Sequence, residues 1–125
     1  MKLDKYLDKL QEQKGFNASI AITDVEGDFN DEWTDCYERR CHDRLEDTYA
    51  IKFCKATCQM TAANRAITRF NGIRVKCSTA PDPRKCLERL KRAALRFKNK
   101  IDNYREAQDK ARAKMAAFRR QTTGA

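Results

Sequence analysis

Apolar residues in the last third of the chain recur every third and fourth position. They are Leu87, Leu90, Ala94, Phe97, Ile101 and Tyr104, then Ala111, Met115 and Phe118, with a polar interruption at Gln108. This spacing defines a helix with a heptad seam, and such a seam is buried only when a second helix covers it. Asp82-Pro83 supplies the start: a capping side chain, then proline at the first helical position. At about 1.5 Å per residue the helix is expected to reach about 55 Å.

Upstream, Trp33, Tyr37, Leu45, Tyr49, Phe53, Met60, Ala63, Ile67 and Phe70 mark helical structure over residues 32–70, which Asn71-Gly72 is expected to end. Asn30 or Asp31 is the expected cap, with acids in the first turn facing the helix dipole. Residues 73–76 read as a short connector. Residues 2–13 place Leu3, Tyr6, Leu7 and Leu10 on one face, a short docking helix closed by Gly15. Asp4, Asp8 and Glu12 break up any basic face there, which argues against membrane binding. Residues 18–23 alternate briefly and are expected to be extended, as a loop or as a strand added to another subunit's sheet.

The fold class expected is all-α: a disulfide-stapled helical hairpin followed by a long basic helix with a heptad seam. Residues 1–30 form an amphipathic helix and an extended acidic arm, 31–81 a cysteine-rich helical region, and 82–125 the long basic helix.

Six cysteines in 125 residues sharpen this picture. Cys54 and Cys58 are four apart and share a helix face; Cys36 and Cys41 are five apart and lie roughly on one side. Folding the chain back near residues 46–48 matches Cys41 with Cys54 and Cys36 with Cys58, nested bonds across an antiparallel hairpin. That turn holds no Gly or Pro, so a continuous helix with other pairings stays open, although Asp47 or Thr48 suits a new cap. Cys77 and Cys86 bracket a loop containing Pro81 and Pro83, and a bond between them would clamp the start of the long helix. Two rivals remain: a zinc site from Cys36, Cys41, Cys54 and Cys58, whose spacing fits zinc motifs poorly, and six reduced, buried thiols.

Charge is segregated. The chain carries a net charge of +9, yet residues 84–120 hold fourteen basic and four acidic side chains, while residues 24–47 hold ten acidic and three basic. The two blocks suit pairing within one molecule or between neighbours. Arg89, Arg92, Arg96, Lys100, Arg105, Arg112 and Arg119 make the expected basic surface. Nucleic acid is the second choice of partner: the charge reads as spread round the helix, and Phe97, Tyr104 and Phe118 lie in the seam rather than in position to stack on bases.

Motifs for chemistry are weak. The four glycines stand far apart, so no phosphate loop forms, and the single histidine, His42, has no nucleophile arranged around it. Asp24, Glu26, Asp28, Asp31 and Asp35 resemble a calcium loop, but Phe29 stands where the turn glycine belongs. Asn17-Ala18-Ser19 matches a glycosylation sequon. No enzyme, cofactor, membrane or small-molecule substrate is expected.

The expected function is a structural or assembly protein, a small subunit of a larger particle, with a virion such as a tailed-phage capsid, neck or tail as the setting. Its partners are other protein subunits, homo- or hetero-oligomeric. The seam residues Leu87, Leu90, Phe97, Ile101, Tyr104, Met115 and Phe118 make the helix contact. Disulfides without a recognisable leader suit a virion or another oxidising setting, with the mitochondrial intermembrane space as an alternative. A basic nucleic-acid-binding module and a small secreted effector or inhibitor are the competing readings.

Overall fold

Asn17 opens the first helix: its side-chain oxygen accepts a hydrogen bond from the Ile20 amide at 3.2 Å, a standard N-cap. A computed structural model describes residues 15–43 and 47–122, and in these residues three helices form and no strand. Helix α1 spans Ala18–Tyr37, α2 spans Thr48–Ile73 and α3 spans Pro83–Thr122. The docking helix expected over residues 2–13 and Leu45 lie outside the described residues.

The extended segment expected at residues 18–23 is helical. Ala18, Ile22, Val25 and Phe29 repeat at four, three and four residues, and this helical stripe, capped by Asn17, overrides the brief alternation. Asn30 and Asp31 therefore lie inside a helix instead of capping one, and the calcium-loop resemblance falls on continuous helix. Helix α1 runs on through residue 30, and α3 begins at Pro83, just after Asp82. There, Asp82 accepts a hydrogen bond from the Lys85 amide at 3.1 Å.

The π-helical turn Glu38–His42 follows α1. A π turn brings residues five apart onto one side, so Cys36 and Cys41 face the pair Cys54 and Cys58. The chain then turns back. Asp47 caps α2, accepting from the Tyr49 amide at 2.9 Å, which makes the hairpin rather than one long helix. Disulfides Cys36–Cys58 and Cys41–Cys54 staple it, each with Cα atoms 5.7 Å apart.

Helix α2 continues through Asn71-Gly72 to Ile73 and into a 3₁₀ turn, Arg74–Thr79, that reverses the chain into α3. The Cys77–Cys86 disulfide spans this corner. Gly15 packs against it: with φ of 82°, it lies so close that an added Cβ would fall 1.7 Å from the Thr79 carbonyl oxygen. Only glycine tolerates both the left-handed backbone and that approach.

The result is an up-down-up bundle. Disulfides and ion pairs match α1 to α2 antiparallel; Gln108 reaching Thr57 and Phe97 against Phe70 match α2 to α3 antiparallel. The core unites Val25 and Phe29 from α1, Ala62, Ala63, Ala66 and Phe70 from α2, and Leu90, Ala93, Phe97 and Ile101 from α3. At its centre the Phe97 ring lies 5.0 Å from that of Phe29, edge-on, and 5.5 Å from that of Phe70.

Candidate interaction surface

The seam of α3 finds its partner inside the chain. Leu90, Phe97 and Ile101 are buried, and Leu87 and Tyr104 are partly buried against the same core. Helix α2 carries the complementary pattern, Ala56, Met60, Ala63, Ile67 and Phe70, at alternating four- and three-residue steps. The small alanines let the two helices approach closely. Burial also pushes the Tyr104 hydroxyl above the ordinary tyrosine value. Met115 is half-buried and Phe118 is 53% exposed, so the seam loosens only toward its end. Contact with another molecule through Leu90, Phe97 or Ile101 would require opening the fold.

The charged side chains divide by direction. On its inner flanks, α1 spends its acids within the molecule: Glu26 pairs with Arg96 at 3.3 Å, Glu32 with Arg65 at 3.5 Å, and Asp28 with Arg69. Arg89 donates to the Ser19 hydroxyl at 3.0 Å. Lys100 lies over the rings of Phe29 and Phe97, with its Nζ 5.7 Å and 5.6 Å from their centroids. Arg89, Arg96 and Lys100 thus belong to the α1–α3 contact rather than to an open basic surface.

The remaining basic residues are outward. Arg84, Lys91, Lys98, Arg105, Arg112 and Arg119 recur at every seventh position of α3, and all six are exposed. Residues seven apart share a helix face, so they form a row about 50 Å long at about 1.5 Å per residue. Arg112 lies over the Phe53 ring at 5.3 Å, and Arg119 makes contacts of its own. Among the described residues, Arg84, Lys91, Lys98 and Arg105 pair with no carboxylate, and neither does Arg92 on the back of the helix. Helix α2, which lies beside α3, contains no acidic residue. Reading the basic charge as spread evenly missed this row; counting basic residues in sevens, as for the apolar seam, finds it.

The cysteine cluster lies at the turn between α1 and α2. All six cysteines are in disulfides, and Cys41 and Cys58, of different bridges, approach to 3.9 Å between sulfurs. The Sγ atoms of Cys41, Cys54 and Cys58 lie within 4.8 Å of one another. A zinc site needs thiolates, and sulfurs bound to one another are not available as such ligands. Above the staples, a cleft of about 390 Å³ opens between α1 and α2, lined by Glu32, Asp35, Arg39, Phe53, Thr57 and Arg65 among others. Asp35 pairs there with Arg39 and Glu32 with Arg65, while Arg40 lines the cleft in neither pair. Asn17 of the sequon is exposed and caps α1.

No known protein family, curated protein or solved structure matches this chain. Its three disulfides suit an oxidising setting, and no described helix is long and apolar enough to cross a membrane.

Proposed function

We propose that the chain is a non-enzymatic structural protein, a small stapled subunit of a larger assembly, with a virion as the setting. The carrying observation is the outward basic row of α3. Most of the apolar seam is satisfied internally, so the surface that α3 leaves for a neighbour carries charge at regular spacing, with Leu95 exposed among it. Regular, rigidly held charge gives register and selectivity between subunits more than raw affinity. The disulfides suit a particle that persists outside a reducing cytosol.

The test is rate-zonal sedimentation of the native source under non-reducing conditions, with the chain followed by intact mass. It is expected to travel with a large particle at low salt and to stay with it after nuclease digestion, six hydrogens lighter than the reduced chain from its three disulfides. Recovery as a free 14.6 kDa chain would overturn the reading. Recovery on nucleic acid, released steeply by salt, would favour the basic nucleic-acid-binding module, which the same basic row permits.

A further inference from the structure

We propose that the protein associates with further copies of itself, the acidic row on the outer face of α1 in one copy docking on the basic row of α3 in the next. This rests on the structural reading above and names the partner as a second copy of this chain.

The acids of α1 fall into three sets, one of them Asp35, which pairs with Arg39 four residues on. Glu26, Asp28 and Glu32 lie on the flanks of α1, partly exposed, and pair with α2 and α3. Asp24, Asp31 and Glu38 are exposed and, among the described residues, pair with no base. They stand seven apart, Glu38 continuing the row into the π turn. The spacing is that of Arg84, Lys91 and Lys98, and each step advances about 10.5 Å along an α-helix. Three unspent acids and three unspent bases thus share one repeat.

Each row also carries a shape feature that the fold does not use. Leu95 is 57% exposed and lies between Lys91 and Lys98 on their face. Gly27 lies between Asp24 and Asp31 on theirs, and a Cβ added there would meet nothing within 4 Å. Internal packing therefore does not require glycine, although a mid-helix glycine weakens a helix relative to alanine. Without a side chain, the position is a hollow in the acidic row. Leu95 of a neighbour set over Gly27 with the helices antiparallel brings Asp24 to Lys98, Asp31 to Lys91 and Glu38 to Arg84 in one register. Antiparallel helices also oppose their dipoles favourably. The two rows lie on different elements of one chain, so the contact is heterologous, and repetition gives a ring or a filament rather than a closed pair.

Sedimentation velocity of the purified, oxidised chain at about 20 mM and about 500 mM salt tests this, because exposed charge contacts weaken as the Debye length shrinks. Reversible, concentration-dependent association at low salt is expected, and its loss at high salt. Asp31→Lys should weaken it at least about tenfold. Adding Lys91→Asp should restore it, whereas Lys110→Asp, which restores the same net charge off the row, should not. Gly27→Leu should weaken association while keeping the helix content seen by circular dichroism. A wild-type chain that stays monomeric at low salt would overturn self-docking, as would association indifferent to both Asp31→Lys and Gly27→Leu. A monomer here leaves untouched the sedimentation of the native chain with other proteins, so the two readings fail separately.

Discussion

Helix α2 is held on its two sides by different means. Toward α1 it has two nested disulfides and two ion pairs, Asp28–Arg69 and Glu32–Arg65. Toward α3 it has a seam of alanines and phenylalanines with one disulfide at the corner. The first contact is covalent and local; the second is apolar and runs most of the length of α2. Disulfides act mainly by restricting the unfolded chain, whereas the seam acts by removing apolar surface from water. The two sides should therefore respond to different insults.

The seam should be the more sensitive to one side chain. Phe97 touches aromatic rings from both other helices, so Phe97→Ala leaves a cavity where all three meet. The expected cost is about 3–5 kcal/mol, read as a fall in the urea midpoint of the oxidised protein. A loss under about 1 kcal/mol would place the weight of the fold on the staples instead.

The staples come next, and their nesting predicts non-additivity. Cys36–Cys58 encloses a sequence separation of 22, but with Cys41–Cys54 intact inside it, cutting it frees a much shorter loop. Replacing either pair by serine should cost about 2–3 kcal/mol, and replacing both should differ from the sum. Paired denaturation curves check this. Full reduction should open the turn between α1 and α2 while the α2–α3 seam keeps the slower hydrogen exchange.

That contrast also separates what was legible in the sequence from what was not. The pairings of Cys36 with Cys58 and Cys41 with Cys54 were legible because helical spacing and a fold-back point constrain them together. The fold class was legible from the long seam. Its occupant was harder to read, because a heptad pattern demands a partner without saying which; the matching pattern at Ala56, Met60, Ala63, Ile67 and Phe70 was present but rich in alanine, which reads weakly as apolar. Residues 18–23 misled for a different reason. Ala18-Ser19-Ile20-Ala21-Ile22 fits both periods over so short a run, and only Val25 and Phe29 further on decide for the helix. The outward charge rows require knowing which charges the fold already uses, and no spacing rule alone supplies that.

A smaller effect tests the caps on which the covalent side depends. Asp47 starts α2 just after the turn that the staples close. Asp47→Ala should cost about 1 kcal/mol, but less in the stapled protein if the disulfides hold the turn without it. Measuring the variant oxidised and reduced gives that difference directly.

The smallest effect bears on the surface. Glu26–Arg96 joins α1 to α3 at 3.3 Å, with both side chains about half exposed. An exposed pair of this kind is worth about 0.2–1 kcal/mol and fades with salt. A double-mutant cycle with Glu26→Gln and Arg96→Gln should give a coupling in that range at low salt and near zero at high salt. The same cycle on Asp31→Asn and Lys91→Gln should give no coupling in the dilute monomer, because these groups do not meet within one molecule. A coupling that emerges as protein concentration rises would then belong to the contact between copies. The two cycles carry similar charges on the same two helices and differ only in direction, so the comparison isolates inward pairing from outward docking.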